Sequence, residues 1–157
     1  MTPKGPTPGQ PLGYIGQPIG YIGQPIGYIE ESPEGFLARF QAHTVEAKLF
    51  PEPWGSPLLE ALVQGQVVYA FDRGAPPAPT GLVRVLLHGV VREAKPLERE
   101  AFLEREGASY RMGGRATPLG EGFYLLEGPV RVVVHSHLPL AEGVQVLLWP
   151  PLMLFRE

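Results

Sequence analysis

The sequence predicts a mainly β protein with one or two short helices (an α+β chain), its compact barrel- or sandwich-like body preceded by an extended N-terminal arm. Three observations predict it. Short β-branched and aromatic runs recur between Gly- and Pro-rich turns along most of the chain. Only two stretches carry clear start and stop signals for a helix. Residues 9–29 hold one heptapeptide three times without a break, each copy with two Gly and one Pro. That composition excludes a helix and interrupts any sheet ladder.

The heptads differ only by Leu12 where the later copies have Ile. Each also carries a Tyr and branched aliphatics, and no charge lies between Lys4 and Glu30. A solvated linker has no use for such side chains. At ~3.1 Å per residue an extended arm of this length reaches about 65 Å. The arm is therefore expected to order against a partner through Pro11, Leu12, Tyr14 and Ile15, then Pro18, Ile19, Tyr21 and Ile22. Pro25, Ile26, Tyr28 and Ile29 repeat the set. The charge and turn residues of 30–35 mark the boundary, giving an arm over 1–33 and a globular body over 34–157.

In the body, 42–49 alternates and reads as a strand, while 36–41 fits a short helix or a strand. Ser56-Pro57 looks like an N-cap and first helical residue, with Leu58, Leu59, Leu62 and Val63 as the apolar face and Gly65 as the stop. Residues 66–71 read as a strand, and 82–91 as a buried one. The clearest helix is 95–106, with Pro96 near its start, Gly107 at its end and Leu97, Ala101 and Leu103 on one side. Residues 109–117 read as a Gly/Arg loop or weak strand. Strands follow at 122–126, 130–137, 144–149 and 152–155.

Composition narrows the function classes. The chain has 157 residues, 44% hydrophobic and 18% charged, with a formal net charge of -3. That is one domain plus an extension, without a field that draws nucleic acid or acidic lipid. There is no Cys, which excludes disulfides, thiolate metal sites and Cys nucleophiles. Asn is absent and Arg outnumbers Lys, and with Pro-rich loops this points to a thermophilic source. No apolar leader follows Lys4, so a cytoplasmic site of synthesis is expected. No run is long enough to span a bilayer, so no membrane partner is expected.

Catalytic signals are sparse. His135-Ser136-His137 would put two imidazoles on one face of a strand, but no local third ligand completes a metal site, so no metal or other cofactor is expected. Asp72, the sole Asp, precedes Arg73-Gly74 and reads as the start of a turn. The Glu residues of 93–106 read as a solvated helix face. None of the four Ser residues sits in a nucleophile elbow. A non-enzymatic protein is expected. The alternative is an oligonucleotide-binding β-barrel, in which Tyr110, Arg111 and Arg115 would form a stacking and phosphate-tracking loop.

The Gly/Pro-rich arm, the small β body and the empty catalytic inventory together resemble the lambda-type bacteriophage head decoration, or capsid cement, proteins. Residues 9–29 match the arm of that family in character. Gln64-Gly65-Gln66-Val67-Val68-Tyr69-Ala70 and Gly81-Leu82-Val83-Arg84-Val85-Leu86 match its habit of Gly followed by short aliphatic strands. The resemblance implies a homotrimer on the virion surface that binds the major capsid protein, with the arm ordering on the shell or on neighbouring subunits.

Overall fold

The computed structural model describes residues 32–52 and 57–157, and Ser32–Glu157 forms one compact unit. The expected arm residues, from Pro11 through Ile29, lie outside the described residues, as does Ser56. Among the described residues one helix, α1 (Pro33–Arg39), and a 3-10 turn (Gln41–His43) lead into ten strands. These are β1 (Val45–Phe50), β2 (Leu58–Val63), β3 (Gln66–Asp72), β4 (Gly81–Pro96) and β5 (Phe102–Glu106). They continue as β6 (Ser109–Gly120), β7 (Phe123–Glu127), β8 (Arg131–His135), β9 (Gly143–Leu148) and β10 (Met153–Arg156).

Pairing closes the sheet on itself. β1, β2 and β3 form an antiparallel meander, and β10 joins β3 in parallel. β4 then pairs antiparallel with both β10 and β1, completing a five-stranded barrel in Greek-key order. A second circuit leaves the same strand, running β4–β8–β7–β6–β9 and back to β4. The 16-residue β4 thus belongs to both circuits. Val85 pairs with Val45 on one edge and Arg156 on the other, and His88 pairs with Met153 and Val133.

Alternation places the interior. Val45, Ala47 and Leu49, Leu59, Ala61 and Val63, and Val68 and Ala70 all point inward, with Val85 and Leu87 of β4 and Leu154 of β10. The second circuit adds Met112, Leu126, Val132, Val134, Val146 and Leu148 to the same continuous core. On the opposite side of β4, Leu86, His88 and Val90 are also buried. Phe36 reaches from α1 onto Phe155 and His88, with ring centroids 4.7 and 4.8 Å apart. β4 therefore has no wet face between Val85 and Val91, which its aliphatic run, interrupted there only by His88 and Gly89, reflects.

Two expected helices are strands. Residues 58–63 satisfy both a helical and an alternating pattern, but a six-residue helix is marginal alone. Pairing with β1 and β3 on both edges decides the matter. Gly65, expected to stop a helix, instead turns the β2–β3 hairpin, with Gln64 at φ 51 and Gly65 at φ 83. Residues 95–106 end β4, turn and become β5, whose backbone pairs with β6. Phe102 lies across Gly113, where a Cβ would come within 2.6 Å of Leu97 Cδ1. Thus Leu97, Ala101 and Leu103 do not form a helical face, and Glu104 and Glu106 are solvated strand residues. The Ser-Pro helix start does occur, at Ser32-Pro33, where Ser32 Oγ accepts from the Gly35 N–H at 3.0 Å.

Burial of His88 makes stability depend on pH. Its Nδ1 lies 2.7 Å from the Val133 carbonyl oxygen, which can only accept, so Nδ1–H donates. Desolvation is the main cause that lowers its pKa to about 3, with His135 and Arg73 adding repulsion against the Val133 bond. His135 is lowered too, by desolvation first and then by His137. Between pH 6.5 and about 3 the unfolded chain binds the His88 proton and the folded one does not. Stability is therefore complete above pH 6.5 and falls on acidification, by up to ~1.4 kcal/mol per pH unit for this proton. Urea denaturation at several pH values is expected to show a shallower fall in His88→Gln than in the parent chain. Parallel profiles would contradict the assignment.

Candidate docking face

Inward alternation in β1–β3 dictates what lies outside. Glu46, Lys48 and Phe50 of β1 point outward, as do Leu58, Glu60 and Leu62 of β2 and Val67, Tyr69 and Phe71 of β3. Register then lines up one row across four strands. Lys48 stands beside Leu82 of β4 and beside Leu62, and Leu62 stands beside Val67. Leu82, Val67 and Leu62 are 68%, 52% and 39% exposed. In the next row Phe50 is opposite Glu60, which is opposite Tyr69. Large aliphatic side chains gathered in one row, rather than scattered singly, mark an interaction surface.

Charge elsewhere is mostly neutralised locally. Arg39 pairs with Glu121, Arg99 with Glu104 at 2.8 Å and Arg131 with Glu127 at 3.4 Å. The strongest pair is Arg156–Asp72, whose side chains are only 10% and 7% exposed. Its guanidinium forks onto both carboxylate oxygens at 2.9 and 3.0 Å. Asp72 also accepts from the Gly74 N–H at 2.9 Å, so it starts a turn as its sequence context predicts. Its partner, 84 residues away, had no local signal.

Of the two readings of residues 109–117, loop or weak strand, the structure has the strand, so the loop that nucleic-acid binding would use is not formed. Tyr110, Arg111 and Arg115 lie on β6, paired with β5 and β9. Tyr110 is buried, and its hydroxyl accepts from the Tyr69 N–H at 2.9 Å, so its ring offers no stacking surface. Arg111 is paired with Glu106 at 3.1 Å and Arg115 with Glu142 at 3.2 Å. Residues 109–117 carry Gly where Phe102 and the strand after β6 approach closely, which in sequence looked like flexibility.

His135 and His137 do not share a strand face. β8 ends at His135, and the Ser136 hydroxyl turns the chain by accepting from the Leu138 N–H at 3.1 Å. The two rings meet edge-on with centroids 5.2 Å apart, and His135 also packs on Phe123 at 4.8 Å. Among the described residues no three His, Asp or Glu side chains are grouped to hold a metal ion. None of the described helices is long and apolar enough to cross a membrane.

No family model, characterised protein or solved structure matches the chain. The exposed row must therefore be judged on its own physics. Leu62→Ser is expected to change unfolding free energy by no more than about 0.5 kcal/mol. Leu59→Ala, three residues away but inward, is expected to cost roughly 2–5 kcal/mol. Denaturant titration of the two variants separates the faces, and similar losses in both would show that the row is structural.

Proposed function

We propose that the chain is a non-enzymatic structural protein that binds and stabilises a viral capsid, acting at the virion surface as a decoration subunit. The observation that carries this reading is the aliphatic row Leu82–Leu62–Val67 on the outer face of the barrel. A patch of branched aliphatics with Lys48, Glu46 and Glu60 among them suits a protein partner. It suits a polyanion less well, because Arg39, Arg99, Arg111, Arg115, Arg131 and Arg156 are already held by carboxylates.

The heptads supply the second contact in this proposal. Their Tyr and Ile side chains and their lack of charge suit strand addition to an edge on the shell or on a neighbouring subunit. Three copies around a three-fold position would multiply weak contacts through effective concentration. The major capsid protein and the chain itself are then the partners.

The test is co-sedimentation with empty heads of the phage that encodes the chain. Full-length protein is expected to saturate the heads. A fragment starting at residue 30, and the double variant Leu62→Glu/Val67→Glu, are each expected to lose at least about tenfold in affinity. Full occupancy by both altered proteins, or no binding by the intact one, would overturn the proposal. In that case, salt-sensitive binding of oligodeoxythymidylate that is lost in Tyr69→Ala would favour a nucleic-acid role. Arg105 over Tyr69 at 4.6 Å and Lys48 over Phe50 at 5.6 Å are the groups that would serve it.

A further inference from the structure

A cleft of about 310 Å³ opens between α1 and the end of β10, beside the turn that follows β3. Its apolar wall is made by Leu37 and Ala38 of α1 and by Phe155. Two guanidinium groups, from Arg73 and Arg156, line it as well. They differ in their partners. Arg156 is held by both oxygens of Asp72, which neutralise its charge, and by the Ala75 carbonyl oxygen at 2.5 Å. Arg73 has no carboxylate partner among the described residues. Its Nη1 meets only the Met153 Sδ, at 3.4 Å, and its guanidinium lies 5.5 Å from the centre of the Phe155 ring.

A thioether is a weak acceptor, and an aromatic face leaves the edge donors of a guanidinium unused. Arg73 is nevertheless half-buried against the apolar wall, where an unmatched cation is costly. A ligand that brings an oxyanion to Arg73 and hydrocarbon to Leu37, Ala38 and Phe155 satisfies both requirements. The cleft is at the lower end of the size range of small-molecule sites. Two carboxylates also line it: Glu157 accepts a bond from Gln41, while Glu34 sits in the first turn of α1. They favour a ligand with one negative charge over a polyanion.

We infer that this cleft binds a small apolar carboxylate, with its anionic end on Arg73 and its hydrocarbon against Leu37, Ala38 and Phe155. The site lies apart from the row on β1–β3 and stands whether or not the capsid reading does. A free aliphatic acid and the carboxyl end of a peptide share this chemistry.

The probes are octanoate and N-acetyl-leucine, titrated into the full chain and followed by calorimetry and by NMR shifts of Leu37, Ala38 and Phe155. Saturable binding with shifts confined to the cleft is expected for at least one of them. Tighter octanoate binding assigns an aliphatic acid, and tighter N-acetyl-leucine binding a peptide end; either result supports the site. Arg73→Gln is expected to weaken binding about tenfold, the worth of one charge-assisted contact. Arg73→Lys should retain most of the affinity, and Glu34→Gln should raise it. No saturable binding of either probe, or equal affinity in the parent and Arg73→Gln, would overturn the inference. If Arg73→Gln does not fold, Glu34→Gln decides: unchanged affinity there counts against the site.

Discussion

A β-strand has two hydrogen-bonding edges and two faces, and β4 uses all four over its middle. Val85 is paired on both edges, with β1 and β10, and so is His88, with β10 and β8, while Leu86 and Leu87 pair with β10 and Gly89 and Val90 with β8. One face lines the barrel interior and the other supports the aromatic layer under α1. Every residue there that is not backbone-paired and apolar must be satisfied from within. His88 shows the consequence: it survives at this depth because it is neutral and its Nδ1–H finds the Val133 carbonyl. Both five-stranded circuits include β4, and they meet at His88, which pairs with β10 of one and β8 of the other.

Closing the sheet this way settles where recognition can occur. The interior is lined by packed side chains, and α1 covers the outer side of the β4–β10 junction. Among the surfaces that stay open are the outer face of β1–β3 and the gap that a seven-residue helix leaves beside Phe155. Arg–Glu pairing over much of the remaining surface removes long-range electrostatic steering. Apolar contact at close range, helped by single charges such as Lys48 and Arg73, is the chemistry left to these surfaces.

The fold class was legible because alternation is local. Strands β3, β4, β7, β8, β9 and β10 each announce themselves by aliphatic runs between Gly and Pro. The two false helices arose where local and non-local preferences compete. Leu58 to Val63 has a helical spacing as good as its alternating one, and Lys95 to Glu106 has helix-favouring residues around a Pro and a Gly. In each case partner strands, not propensity, decide. The candidate surfaces were less legible. The row Leu82–Lys48–Leu62–Val67 joins four strands, and the separation of Arg73 from Arg156 rests on an Asp72 contact across 84 positions. No single-window pattern carries such information. Tyr110 misled for the same reason, since its burial comes from β3 and not from its neighbours in sequence.

The dependence of the whole body on β4 is tested most directly by native-state hydrogen exchange. If β4 couples the two circuits, amides of β4 from Val85 to Val91 exchange only by global unfolding. The slowest amides of β1–β3 and of β6–β8 then share that same opening free energy. A set from β6–β8 that opens several kcal/mol more easily than β1–β3, with the Val85–Val91 amides following only one of them, would show two independently folding halves and contradict the account.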